Sequence, residues 1–339
     1  MNHAYAAEPS HATRGHAIRP AEAGDVDGLV QLFNVAYADS SHPCKHAEFV
    51  RSTIGSPGFL WRVADRGGYI AACSAVVEHA WNRTWEIGRG VTHPEYRGAG
   101  IGAELCQQCV TAACEAATCD LVHGFPRNAT IARIAAQTQP ALLPTGHDGG
   151  INVANGVREY HGVIFARNPK ARLRHFSPPR ANPGQAGFVQ CAIFDALGLT
   201  PEPGAYPERW IAGPGTAPSH GHPFSVEHDP RCRSASLEVT GYFGSARTPG
   251  EMAAELLYSL ERFPEIAHAR LAVLADKTAL IERLTRHGFE AVAYLPAWYW
   301  LDGGRFDCVL MARRRSRGEP AAYGLSVVVD RFREGLASC

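Results

Sequence analysis

The sequence predicts an α+β protein in which strands and helices interleave and the second half repeats part of the order of the first. Three observations carry that expectation. Short apolar runs alternate with segments of helical period from about Ile18 to Arg167. A second series, from Ser234 to Arg315, runs strand, helix, strand, helix, strand, strand. Between Gly90 and Cys106 the stretch GVTHPEYRGAGIGAELC breaks a strand-like run into glycines and restarts it as a helix.

The elements follow in order. AIRPAEAGDVDGLVQLFNVAY reads as a short strand and then a helix, because Val26, Leu29, Val30, Leu32 and Phe33 keep one apolar face. A second helix is expected over 45–54. GFLWRVADRGGYIAACSAVVEH reads as a hairpin turning at Arg66, Gly67 and Gly68. A strand near 83–91 ends before Pro94, and the glycine corner opens a helix to about Ala117. CDLVHGF is a strand, NATIARIAAQ a helix that Asn128 could cap, and EYHGVIFAR a further strand. Pro and Arg then cluster over 168–183, where the linker is expected. Past it, GFVQCAIFDALGL reads as one helix, and the Pro-, Gly- and His-rich stretch 199–230 as an ordered loop anchored by Trp210, Ile211 and Phe224. The expected organisation is a tail over 1–16, a first domain over 17–168, a linker and the start of a second lobe over 169–232, a second domain over 233–315 and a terminal segment over 316–339.

Bulk composition narrows the function classes. At 339 residues and 45% hydrophobic the chain can fill two cores. Its 33 basic and 33 acidic side chains cancel, so no overall field collects nucleic acid or an anionic membrane. The first twenty residues have no apolar centre, and no run of about 18 apolar residues occurs, so a cytoplasmic protein is expected. Ten cysteines are few for this length, and reduced thiols are expected. Cys106 and Cys109 have CxxC spacing, with Cys114 and Cys119 beyond, yet they fall in an Ala-rich helical run with no His to complete a zinc site. His220, His222 and His228 sit in a Pro/Gly context that suggests a solvated loop. No metal is expected.

The glycine corner is the strongest chemical signal. A strand that runs through glycines into a helix leaves backbone N–H groups converging on one point, with the positive end of the helix dipole behind them. That arrangement binds an anion, most naturally phosphate, and Arg97 adds a charge. Gly98, Gly100 and Gly102 permit close backbone approach. No Gly-Lys-Ser/Thr follows, so this is not a phosphoryl-transfer loop, and the interval is not that of a dinucleotide fingerprint.

VTHPEYRGAGIG resembles the acyl-CoA-binding signature of the GCN5-related N-acetyltransferases. Arg97, Gly100 and Gly102 stand in the Arg/Gln-x-x-Gly-x-Gly/Ala places, and Val91, Pro94 and Tyr96 in the lead-in. The resemblance covers about 18–167; over 234–315 it is one of element order without the motif, which suggests a degenerate tandem copy. It implies a mixed central sheet flanked by helices, with acetyl-CoA as co-substrate held by Val91, Thr92, Arg97, Gly98, Ala99, Gly100, Ile101 and Gly102. It further implies an acyl carbonyl near 88–91, where a backbone N–H stabilises developing negative charge.

Direct attack by an amine needs a base, and Glu86 is the candidate, with pairing to Arg83 or Arg89 as its bland alternative. The family often supplies a tyrosine acid from the helix after the fifth strand; this sequence has none there. Tyr160 or His161 could substitute, or no acid is needed. Arg127, His147 and Arg158, with Asp148 nearby, are the candidate acceptor-binding groups. The expected acceptor is a small soluble amine. Tandem members of the family include one that acylates a nucleotide-linked aminophosphonate in antibiotic biosynthesis, which makes that chemistry one option beside amino-acid-derived and aminoglycoside-like amines. An inactive acyl-CoA sensor is the reading from a different class.

Overall fold

The computed structural model describes residues 15–38, 42–127, 129–150, 152–154, 157–178, 193–213, 226–227, 237–239, 248–262, 268–314 and 321–322. Asn128, His220, His222, Phe224 and His228 lie outside the described residues. The chain divides into two compact units, one formed by residues 1–77 with 87–112 and the other by residues 78–86 with 113–339.

The first unit opens with β1 (Ala17–Pro20), α1 (Val26–Ala36) and α2 (Ala47–Thr53), followed by the hairpin of β2 (Phe59–Asp65) and β3 (Ile70–His79). Val26, Leu29, Leu32 and Phe33 make the buried stripe of α1 and meet Val50, Trp61, Val63 and Ile70. This is the helical periodicity of the sequence converted directly into core. Arg19 ties the opening strand down by a bidentate pair to Asp25 at 2.7 and 2.8 Å and a bond of 2.9 Å to Asp65. At the hairpin tip Gly67 and Gly68 take positive φ, and Asp65 accepts from the Gly68 N–H at 2.7 Å. Strand β4 (Thr84–Thr92) belongs to this unit from Ile87 onward, as does α3 (Ile101–Glu115) up to Ala112. Ile101 and Leu105 pack on Ala64 and Ala72, whose small side chains let the helix lie close to the sheet.

In the second unit β5 (Leu121–Gly124), α4 (Ala129–Ala135), β6 (Leu143–His147) and β9 (Gly162–Arg167) follow one another, with the short β7 (Asn152–Ala154) and β8 (Val157–Glu159) between the last two. β9 runs antiparallel to both β5 and β6. The expected linker contributes structure of its own: β10 (Arg174–Phe176) pairs in parallel with β11 (Pro201–Glu202) and with β17 (Gly304–Arg314). Beyond it, β12 (Ile211–Ala212), β13 (Val226–Glu227) and β14 (Leu237–Val239) lead into α5 (Pro249–Glu261), β15 (His268–Leu274), α6 (Thr278–Arg286) and β16 (Phe289–Leu301). β14 is parallel to β15, which is antiparallel to β17, which is antiparallel to β16. The last strand, β18 (Ala321–Ala322), pairs with β8.

The order β15–β17–β16, with α6 between β15 and β16, repeats the order β5–β9–β6, with α4 between β5 and β6. The two series meet where Gly146 of β6 faces Ala293 of β16. A Cβ at Gly146, whose φ is 147°, would lie 2.3 Å from the Val292 carbonyl oxygen, so only glycine allows this approach. A few residues on, His268 Nε2 reaches the Gly149 carbonyl oxygen at 3.0 Å.

Buried polar pins reinforce the same unit. Arg305 is 1% exposed and donates to Asp120 Oδ2 at 2.8 and 3.0 Å, to the Ala297 carbonyl at 2.7 Å and to the Asn82 carbonyl at 2.6 Å. Asp307 accepts from the Tyr294 hydroxyl and the Ala297 N–H at 2.7 Å each and lies 2.6 Å from His175 Nε2. The described cysteines are free thiols.

Candidate active site

The glycine corner folds as its composition requires. Pro94–Tyr96 form one turn of 3-10 helix, closed by the Arg97 N–H on the Pro94 carbonyl at 3.3 Å, after which the chain enters the left-handed region. Gly98 (φ 84°) and Gly100 (φ 79°) hold those conformations at no steric cost, and a Cβ at either would meet nothing within 4 Å. The space before α3 is therefore open. The N–H groups of Ala103 and Glu104 both bond to the Gly100 carbonyl, at 3.0 and 3.2 Å. Those that precede them stand at the helix N-terminus, where the helical ladder offers no acceptor. Arg97 is exposed, and its Nε lies 3.4 Å from the Thr92 carbonyl. The corner has the backbone geometry, dipole and cation of a phosphate cradle.

Upstream on the same strand, Arg89 has φ 54°, an unusual value for a non-glycine residue inside a strand. The backbone there leaves the regular pleat, as it does at a bulge. The Ser74 hydroxyl donates to the Gly88 carbonyl at 3.2 Å, and the Arg89 guanidinium lies 4.9 Å from the Phe59 ring centre. Arg89 is thus occupied on an aromatic face.

Glu86, on the part of β4 that belongs to the second unit, sits with two histidines that the sequence reading missed. His79 Nε2 is 3.1 Å from Glu86 Oε2, and His123 Nε2 is 3.9 Å from the same oxygen. Burial and desolvation push the His123 imidazole down to about 3, so it is neutral at physiological pH. His79 and Glu86 are 34% and 27% exposed, which leaves a path for protons to water. The signal for this cluster is thin in a linear reading, because 44 positions separate His79 from His123 and only strand geometry joins them. Two imidazoles and a carboxylate with donor atoms within 4.8 Å of one another are also a suitable set for a divalent ion.

The other expected residues belong to a different network. Tyr160 is buried, its hydroxyl bonds to Arg314, and the His147 ring meets its edge at 5.6 Å. His161 lies 3.5 Å from Glu159 and 3.9 Å from the buried Asp148, whose carboxyl is pushed up by burial. Glu159 is held down at about 2 by His161 and by a bidentate pair with Arg127 at 2.6 and 3.1 Å. Phe165 is the β9 residue opposite His123. His161 is four residues from Phe165, about 13 Å along an extended chain. The structure groups Tyr160 with His147, and Arg127 with His161 through Glu159. The backbone of Arg158 pairs with Val153 and Ala321.

Residues 26–128 match the model of the Acetyltransferase (GNAT) family. The matched segment holds the glycine corner and the whole Glu86 cluster. Among solved structures, the yncA protein of Salmonella typhimurium with acetyl-CoA is 14% identical (TM-score 0.41) over 50% of this chain and 99% of its own. Spermidine N-acetyltransferase from Vibrio cholerae is 14% identical (TM-score 0.38) over 46% and 95%. Ribosomal-protein-alanine N-acetyltransferase from Brucella melitensis is 17% identical (TM-score 0.39) over 44% and 99%. Likenesses this low carry no argument about activity. No curated protein matches the chain.

Proposed function

We propose that the protein is an N-acetyltransferase that moves the acetyl group of acetyl-CoA to the primary amine of a small soluble acceptor by direct attack. The observation that carries this reading is strand β4, which bears Glu86 at one end and runs at the other into the open corner of Gly98 and Gly100. The corner fits the co-substrate, because a pyrophosphate needs the unobstructed space, the N–H groups and the Arg97 charge that it offers. Val91, Thr92, Arg97, Gly98, Ala99, Gly100, Ile101 and Gly102 would hold it. When bound, acetyl-CoA supplies an acetyl group already activated as a thioester.

The chain's own groups handle protons and charge. Glu86 takes one proton from the acceptor ammonium, and His79 passes it on to water. The acceptor nitrogen then gains the acetyl group as the carbon–sulfur bond breaks, and the second amine proton leaves with the thiol. Burial keeps His123 neutral, so the Glu86 carboxylate is not locked into an ion pair on that side. The departure of the backbone at Arg89 from the pleat suits an N–H aimed at a developing oxyanion. Tyr160 and His161 act structurally, and the thiol leaves without a dedicated acid.

The series β14 to β17 is read as a degenerate second copy. Helix α5 supports that reading: Thr248 and Glu251 close a capping box, with bonds of 3.1 Å in each direction, which puts a carboxylate on the helix N-terminus that phosphate would need. Pro249 further removes one N–H.

Calorimetric titration with acetyl-CoA tests the assignment. One-site binding that Arg97→Ala and Gly100→Val each weaken at least about tenfold is expected, from the loss of a charge-assisted phosphate contact or of the left-handed turn. Binding that neither change affects would refute the phosphate cradle. Binding without turnover on any amine would favour the sensor reading.

A further inference from the structure

A cavity of about 50 Å³ opens in the second unit beside the Glu86 cluster. His123 and Phe165 line it from β5 and β9, and Arg270, Leu295 and Trp298 from β15 and β16. At 10 to 15 Å³ for each water-sized group, it has room for about four non-hydrogen atoms. Its walls are largely apolar and aromatic: the Trp298 ring stands edge-on to His123 at 5.0 Å and to Phe165 at 5.7 Å. Arg270 brings the charge. Its guanidinium lies 5.7 Å from the Phe125 ring and feels the buried Asp148 carboxyl electrostatically, without a hydrogen bond to it. A half-buried cation resting on an aromatic face has donors left over for an anion.

His123 joins this cavity to the chemistry, because one of its ring nitrogens faces Glu86 while the ring itself forms part of the cavity wall. Glu86 and the cavity therefore meet the same imidazole, which places them within reach of one small acceptor. We propose that the cavity is the acceptor's specificity pocket and that Arg270, from the second strand series, clamps an anionic group of the acceptor. The acceptor class is a primary amine bearing both a compact apolar group of about four non-hydrogen atoms and a carboxylate or phosphonate. This inference rests on the acetyltransferase reading and adds to it the identity of the residues that select the substrate. It also gives the second series a use in the reaction, since three of the five wall residues named come from it.

The test is a thiol-release assay at saturating acetyl-CoA. The acceptors are α-, β- and γ-amino acids bearing an isobutyl group, each beside its aminophosphonate and its uncharged amide, with tryptophan as a bulky control. A preference for the anionic members over the amides of about tenfold or more in kcat/KM is expected, the size of one charge-assisted hydrogen bond. Arg270→Met should abolish that preference, and Arg270→Lys should keep part of it. Whichever of carboxylate and phosphonate turns over faster names the anion. A urea-denaturation transition of unchanged midpoint shows that each variant is folded, and if Arg270→Met is not, Arg270→Gln takes its place. Equal rates on acids and amides, a preference that survives loss of the guanidinium, or tryptophan as the best acceptor would each overturn the inference while the enzyme stood. Absence of acetyl-CoA binding in the unaltered protein would instead overturn the acetyltransferase reading beneath it.

Discussion

Glu86 has few rivals for the base, because among the candidates it combines a carboxylate, partial exposure and two imidazole neighbours on the strand that leads to the corner. Glu86→Gln should lower turnover about 10²- to 10⁴-fold, the usual worth of a positioned general base, with acetyl-CoA affinity kept; a normal rate would remove Glu86 from the mechanism. His123 makes a second prediction, about stability. Its folded-state value of about 3 lies below the unfolded value of about 6.5, so as pH falls the unfolded chain takes up this proton first. Stability should therefore decline between about pH 6.5 and pH 3, with His123 contributing up to about 1.4 kcal/mol per pH unit. Urea titrations across that range should show a shallower decline for His123→Phe, and an unchanged slope would mean that His123 is not buried neutral. Glu86 was visible as a candidate in the sequence because the strand pointed to it. His79 and His123 were not, since neither carries a local motif and their meeting depends on the pairing of distant strands. Arg127 looked available in the sequence for the opposite reason: its partner Glu159 is 32 residues away.

At the scale of the element, regular segments were the most legible. The apolar stripe of α1, the hairpin turn at Gly67 and Gly68, and the corner at Arg97 all declare themselves within a dozen residues. β6 was missed because LPTGH carries a proline and a glycine, which usually interrupt strands, and Gly146 is there to let β16 approach. β10 hid in a Pro- and Arg-rich stretch for a similar reason, its three residues being held by β17 and not by their own propensity. The buried guanidinium of Arg305 is a further element-scale feature, because it binds β17 to Asp120 and to the Asn82 carbonyl. Arg305→Met should cost about 3 to 5 kcal/mol by leaving Asp120 without that partner in a buried setting, as measured by urea denaturation. A loss below about 1 kcal/mol would show that Arg83, which also bonds Asp120 at 3.0 Å, suffices alone. The pairing of His79, Glu86 and His123 leads to a metal prediction as well: added Zn²⁺ should inhibit by capturing the carboxylate, and a chelator should restore turnover. Chelator alone should leave the rate unchanged, and a rate that falls with it would assign the cluster to a metal.

For the whole molecule, the sequence suggested a repeated element order but lacked β6 in the first series; the strand pairings β5–β9–β6 and β15–β17–β16 share one topology. What the sequence could not convey is their junction, since a single glycine contact between β6 and β16 leaves no periodic trace. Gly146→Ala should therefore destabilise the second unit by more than the average cost of about 1 kcal/mol for a point substitution, because the new Cβ meets backbone that cannot yield. Among the described residues no helix is long and apolar enough to cross a membrane. The central claim is that this chain transfers acetyl to an amine, and mass spectrometry of the acceptor panel after incubation with acetyl-CoA tests it most directly. The account predicts an N-acetylated amine formed in step with free thiol, and both formed at least about tenfold more slowly with Arg97→Ala at limiting acetyl-CoA. Thiol released without any acetylated amine, or no release at all from a protein that binds acetyl-CoA, would contradict it.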